Sequence, residues 1–375
     1  MLAGSRDLYG HDSGIGFPMV YRCSPLFLLL FAPFALLPLA PSAAIWATLK
    51  LIVLFFVVRA VERKLRGDNR PQKWSADRWA LVVLICLPYV VLELHSGNVQ
   101  FFIFAAAAAG FCLLGSRPGW SAALFALGTS VKVIPAFFLP YLWMRGHRRV
   151  AIYFALLLAA FLLLPSLFYG FGENLRLLAA WLRDGIGYPT ASQWGIGPDH
   201  SLRGVFTRYL STVTYSPDPD YRNINFAEVA PGVLQIVWLA VAVSAYAGLL
   251  VLASYLRERE PTAALRPVAA LEYGLLFCSQ LLLAPLTERT YFVALLFPAL
   301  VLSHKLQMSE NRFEQRRIWV IVGVAVFLLA APPLVPGASN QRLLAVYSPS
   351  FWGTSLITLS FLLLLRACLR DPAPA

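Results

Sequence analysis

Long apolar runs separated by short clusters of arginine and lysine recur from Ser42 to Leu365. A helix crossing the hydrocarbon core needs about 20 mostly apolar residues. The runs that approach this length are Ser42–Val58, Trp79–Leu94, Val99–Leu114, Val150–Phe168, Val233–Leu256, Val268–Leu283, Tyr291–Ser303, Ile318–Ala331 and Phe351–Leu365. Two further runs are interrupted. Pro25–Leu37 is short and carries Pro25 and Pro33, with Pro38 next; Trp120–Trp143 holds Lys132 and Pro135 in its middle. In lipid each backbone polar group must be satisfied within the chain, which leaves helices or closed barrels. Runs of this length and spacing predict an all-α, polytopic transmembrane bundle of about 10–11 membrane segments. We expect residues 1–375 to form a single membrane domain with one long external loop at about 170–231.

Composition agrees. The chain is 59% hydrophobic and 13% charged, against about 45–50% and about 25% in ordinary soluble domains. Too few charges remain to cover a water-facing surface, and disordered, fibrous and disulfide-scaffold classes are excluded as well. The net charge of +12 would suggest nucleic acid in a soluble protein. Here the basic residues sit between apolar runs and read as topology, so no nucleic-acid partner is expected. Cys23, Cys86, Cys112, Cys278 and Cys368 include no C-x-x-C pair and no metal-ligand spacing, so no metal is expected. Met1–Phe17 is polar and glycine-rich, without a signal-peptide apolar core.

The positive-inside rule sets the orientation. The basic stretches Arg59–Arg78, Arg145–Arg149, Arg257–Arg266 and Lys305–Arg317, with Arg366 and Arg370, belong in the cytoplasm. Gly170–Pro231 lacks a basic excess and is placed outside. Loops that long are usually functional. The scheme conflicts once: Arg117 and Arg145 both read as cytoplasmic, and Trp120–Trp143 is too short for two crossings. Either a re-entrant pair of half-helices turns around Lys132–Pro135, or Arg117 is external. Pro25–Leu37 fits an interfacial helix on the outer surface, which leaves the N-terminus outside.

Ionisable residues within apolar segments are expensive and mark candidate sites. Glu93 and His95 precede Gly97-Asn98-Val-Gln100 at an outer junction, where Asn98 is suited to cap the next helix. Lys132 could meet an anion, most naturally a phosphate. Glu288 and Arg289 lie in a short outer connection. In the long loop, Asp199 or Ser201 is suited to cap a helix whose N-terminus, with Arg203 and Arg208, would suit an anionic head group; His200 lies between them. The loop's tryptophans and tyrosines suit sugars or a membrane interface equally. No nucleotide-binding fingerprint is present, so a lipid-borne donor fits better than a nucleotide.

These residues resemble glycosyltransferase family 87, polyprenyl-phosphate-sugar-dependent enzymes of the GT-C fold. Ser24-Pro25-Leu26-Phe27, Pro33, Leu37-Pro38 and Trp46 resemble its Y-P-P-L-F…P…L-P…W stretch. Gly97-Asn98-Val-Gln100 resembles its G-Q-x-N turn. Gly128, Lys132 and Pro135, followed by Arg145–Arg149, resemble G-x-x-x-x-K-x-x-P and its basic loop. Asp199-His200-Ser201-Leu202-Arg203-Gly204 with Arg208 is similar to N-Q-S-L-x-G…R. Leu283–Glu288 with Tyr291 is similar to S-P-x-S-W-x-H-H.

The family carries its catalytic aspartate just after a first transmembrane helix, and Ala3–Tyr9 resembles the stretch that follows it. The resemblance thus sets the expectation that this chain begins past that helix, with Asp7 and Asp12 as stand-ins for the base. It implies transfer of a hexose, mannose first, from a polyprenyl-phosphate donor to a lipid or glycan acceptor on the outer face of a cell membrane, bacterial in the first instance. Asp7, Asp12 and Glu93 would be catalytic. Lys132, His95, Asn98, Asp199, His200, Arg203, Arg208, Glu288 and Arg289 would bind substrate and phosphate. No soluble cofactor is implied. A lipid-sugar flippase or secondary transporter, and a catalytically inactive relative, stay open as alternatives.

Overall fold

The computed structural model describes residues 9, 21–66, 76–186, 199–212, 224–259, 267–308, 312–337, 340 and 344–370. The long loop is thus described over 170–186, 199–212 and 224–231, and Asp7 and Asp12 lie outside the described residues. The described residues are predominantly helical, with no strand among them.

The helices run in order: α1 (Pro25–Ala35), α2 (Leu39–Arg66), α3 (Ala76–Ser96), α4 (Gln100–Leu113) and α5 (Pro118–Val131). A 3-10 turn, Ile134–Phe137, leads into α6 (Phe138–Met144), followed by α7 (Arg148–Leu163), α8 (Ser166–Tyr169) and α9 (Phe171–Ala180). Next come α10 (Leu202–Leu210), α11 (Pro231–Arg259) and α12 (Pro267–Leu283). A second 3-10 segment, Arg289–Leu295, opens onto α13 (Leu296–Met308), and α14 (Arg312–Leu334) and α15 (Pro349–Arg370) complete the bundle. Each uninterrupted apolar run of the sequence lies on one or two of these elements.

Among the described residues, five segments are long and apolar enough to cross a bilayer: Leu39–Arg66, Arg78–Ser96, Arg148–Tyr169, Pro231–Glu258 and Pro349–Arg370. Others are shorter, among them Gln100–Leu113 and Val268–Leu283. The long helices turn large apolar side chains outward. Phe55 and Phe56 of α2, Val251 of α11 and Phe327 of α14 are all more than half exposed. A water-facing surface would not carry this; a lipid-facing one does. The shorter α4 and α12 instead keep most of their length in the core. Together the elements form an all-α polytopic membrane bundle.

Close backbone approach uses small residues, as in other membrane bundles. Gly274 of α12 sits against the Phe361 ring, and Gly353 of α15 against Leu329 and the Ala325 carbonyl. An aromatic cluster of Phe111, Phe125, Phe138, Tyr273, Phe277 and Phe297 fills the centre at ring separations of 4.4–6.4 Å.

The interrupted run resolves as a fold-back. α5 lies antiparallel to α4: Ser121 Oγ donates to the Gly110 carbonyl at 2.8 Å, and Gly128 faces Ile103. α6 then doubles back, so that Phe138 at its start lies 5.9 Å from Phe125 in the middle of α5. Phe154 of α7 packs 5.8 Å from the same Phe125 ring. Arg117 and Arg145 therefore sit at one end, and Lys132 sits at the other. The break frees backbone carbonyls, which a membrane interior does not tolerate unpaired. Gln280 of α12 donates to Ile134 O at 2.9 Å, and Tyr246 of α11 donates to Phe137 O at 2.6 Å.

Basic residues gather at the Arg117 end. Arg66 and Arg78 come close, Ser303 Oγ donates to Arg78 O at 3.1 Å, and Arg257 packs on Gly146. Arg145 pairs with Glu272 of α12 at 3.1 Å, both buried. His147, in the turn before α7, is pushed down to about 4 by burial and by the Arg145 charge.

A cationic vestibule at the broken helix

Lys132 is the residue that ends α5. Its N–H still donates to Gly128 O at 3.1 Å, but its backbone is extended, at φ −148° and ψ 128°. Of the two arrangements the sequence allows, the re-entrant one is present, and it puts the side chain at the tip of a short helix. Pro135 accounts for this, because the residue before a proline leaves the helical region and the ring cannot continue an upstream ladder. The half-buried ammonium lies 4.4 Å from the Tyr291 ring centroid. It makes no ion pair among the described residues.

The connection from α12 to α13 organises the rest. Read in order, its side chains touch Asn98, Lys132 and His200 among the residues singled out in the sequence. Glu288 accepts from Arg22 Nη1 at 2.7 Å. Arg289 is half-buried and has no ion pair among the described residues. Thr290 Oγ1 accepts from Asn98 Nδ2 at 3.1 Å. Tyr291 lies under Lys132, and Phe292 packs 5.4 Å from Tyr89 and 5.9 Å from His200. Lys132, Arg22 and Glu288 are all within electrostatic reach of the Tyr291 hydroxyl.

The segment 199–210 docks on this connection through its backbone. His200 N–H donates to Thr287 O at 2.8 Å, and Thr287 N–H donates to Asp199 Oδ1 at 2.9 Å. Asp199 also accepts from Ser201 N–H and from Ser201 Oγ, both at 2.8 Å. Ser201 then caps α10, its Oγ accepting from Gly204 N–H at 3.2 Å. Arg208 donates to Asp199 O at 2.6 Å and to Ser348 Oγ, fastening α10 to the segment before α15. Arg203 lies over the Trp238 ring of α11, 5.5 Å from its centroid. Both arginines thus hold α10 in place.

Burial raises the Asp199 carboxyl above the usual aspartate range, against the pull of its N–H donors and of Arg208. Burial, with Arg208 and Arg289 nearby, drops the His200 imidazole well below its usual range. His200 is therefore neutral at pH 7, and neither ring nitrogen has a hydrogen-bond partner among the described residues.

Glu93 stands to one side of this group. Lys50 of α2 donates to Glu93 O at 2.8 Å and pairs with Oε1 at 3.3 Å, both side chains being buried. Glu93 Oε1 also accepts from Phe101 N–H at 2.9 Å. It thereby serves the first turn of α4, the task the sequence suggested for Asn98. Asn98 instead turns its Oδ1 to its neighbour Val99 N–H, at 2.7 Å. Gly97 adopts φ +63° at this corner, where its carbonyl accepts from Trp46 Nε1 at 2.9 Å. His95 is exposed.

Sequence reasoning missed Arg22, Lys50 and Gln280. Lys50 could have been found, since it is a lone charge inside the run Ser42–Val58. Arg22 and Gln280 carried no such signal, because their partners are 266 and 146 residues away. No group of three or more metal-ligating side chains occurs among the described residues.

A helical bundle with a re-entrant break and five described segments apolar enough to cross a bilayer defines a polytopic membrane protein. The family model of glycosyltransferase family 87 matches residues 23–285, and the chain belongs to that family. It is thus a glycosyltransferase of the membrane, a class already suggested by the sequence motifs. No curated protein and no solved structure matched the chain.

Proposed function

We propose that the protein transfers a hexose, mannose first, from a polyprenyl-phosphate donor to a lipid or glycan acceptor. The reaction takes place at the extracytoplasmic face of a bacterial plasma membrane, within a single domain. Lys132 carries this reading: a half-buried ammonium over an aromatic ring, with no ion pair among the described residues, at the tip of a broken helix. Cations without counter-ions in a partly desolvated site attract an anion, and the leaving phosphate is that anion. Lys132 and Arg289 meet its growing negative charge. Asn98 and Thr290 supply neutral donors and acceptors suited to sugar hydroxyls. Asp199 and His200 shape the wall by docking the loop, and Arg203 and Arg208 hold α10 behind it. The donor's lipid tail stays in the bilayer, so no soluble cofactor is required.

The test is an assay in proteoliposomes with radiolabelled polyprenyl-phosphate mannose and extracted membrane lipid. A glycosylated lipid or glycan product is expected. Donor counterflow without product would instead establish a flippase or transporter, and neither activity would establish an inactive relative.

A further inference from the structure

A second group of cations lies at the end of the molecule opposite the vestibule. Phe55, Phe56, Arg59, Glu62, Arg63 and Arg66 of α2 line a surface groove of about 370 Å³. Positions 55, 59, 62, 63 and 66 fall on one face of a helix. Phe55 and Phe56 are 57% and 64% exposed, on the lipid-facing part of α2. The rise from Phe56 to Arg63 is about 10 Å along the helix axis. The groove therefore runs from acyl-chain depth to the level of the head groups. Its carboxylate is already shared between two arginines. Glu62 is buried; its Oε2 accepts from Arg59 Nη1 at 3.3 Å and its Oε1 accepts from Arg66 Nη2. The Arg59 guanidinium also lies over the Phe55 ring, 5.6 Å from its centroid. Arg63 is exposed and makes no ion pair among the described residues. Three arginines thus stand against one glutamate, and Arg78 of α3 adds its charge beside Arg66.

We propose that this groove binds an anionic glycerophospholipid of the surrounding leaflet, the cytoplasmic one by the positive-inside rule. The lipid phosphate accepts charge-assisted hydrogen bonds from Arg59 and Arg63. The acyl chains run along Phe55 and Phe56. Glu62 holds the Arg59 and Arg66 guanidinium groups in place without cancelling the excess of positive charge. A soluble anion would leave the two phenylalanines uncovered, and a neutral lipid would leave the arginines without a partner. The site is separate from the transfer reaction, whose lipid donor belongs to the vestibule at the other end.

The test uses the full chain in detergent, with native mass spectrometry reading the binding of dioleoylphosphatidylglycerol and dioleoylphosphatidylcholine. Wild type should prefer phosphatidylglycerol by about tenfold or more, and Arg59→Gln with Arg63→Gln should reduce that preference by about fivefold per arginine. Arg316→Gln with Arg317→Gln removes the same charge from exposed positions of α14 and should keep the preference. Equal losses in the two double variants would mean a diffuse attraction and overturn the proposal. So would a wild type that binds both lipids alike. Excess inorganic phosphate and equimolar polyprenyl phosphate should each leave phosphatidylglycerol bound; displacement by either one would give the groove to that ligand instead. Wild type in nanodiscs supplies a measurement that needs no variant. Phosphatidylglycerol carrying a diazirine beside its head group should label the peptide 55–66, and labelling confined to other segments would overturn the proposal.

Discussion

A lysine ammonium keeps its charge beside a membrane only where polar or π-rich groups face it. Lys132 has the Tyr291 ring and hydroxyl beside it and makes no ion pair among the described residues. Lys132→Met should remove one charge-assisted contact, worth about 1.5–3 kcal/mol, and so lower kcat/KM for the lipid donor by about 10- to 150-fold. Lys132→Arg should retain part of the activity. Wild-type kinetics in the methionine variant would remove Lys132 from the site.

His200 meets burial differently, by staying neutral. Its folded-state pKa lies below the value of about 6.5 expected when unfolded, so below that pH the unfolded chain takes up a proton that the folded chain refuses. The stability associated with the neutral ring is thus fully present above about pH 6.5 and is lost as pH falls, at about 1.4 kcal/mol per unit. Thermal melts in detergent should show wild type losing more stability between pH 7.5 and 5.5 than His200→Phe. Equal losses in the two proteins would falsify a neutral buried His200.

Among the elements, α10 depends on how closely Gly204 approaches Asp199. A Cβ at Gly204 would lie 2.2 Å from the Asp199 carbonyl oxygen and 2.7 Å from its Cβ. Gly204→Ala should therefore strain the turn that docks on Thr287, by about 1–3 kcal/mol. A lower melting temperature and faster proteolysis around 199–210 are expected. Gly172→Ala in α9, where a Cβ meets nothing within 4 Å, is the control and should not destabilise. Equal melting of the two variants would argue against this docking. The Ser201 cap was legible because Ser and Asp before an apolar stretch are a local signal. The pairing of Asp199 with Thr287, 88 residues away, was not.

Across the molecule, the basic residues collect at one end and the vestibule at the other, the asymmetry that orients membrane proteins. In a cysteine-free background, His95→Cys should react with an impermeant maleimide from outside intact cells. Arg63→Cys should react only after permeabilisation. The reverse pattern would place the vestibule in the cytosol and end the proposal of an external reaction.

The class of fold follows from the order of residues alone, since bilayer thickness and backbone satisfaction allow few outcomes for long apolar runs. That order also flagged Lys132, Glu288 and Asp199, because a charge among apolar neighbours is conspicuous in one dimension. Only the tertiary structure decided what those charges do. Glu93 is paired with Lys50 from another helix, Asp199 is spent on a loop tie, and Lys132 and Arg289 make no ion pair among the described residues. Electrostatic energy depends on separation in space, and residues hundreds of positions apart acquire a separation only when the helices pack.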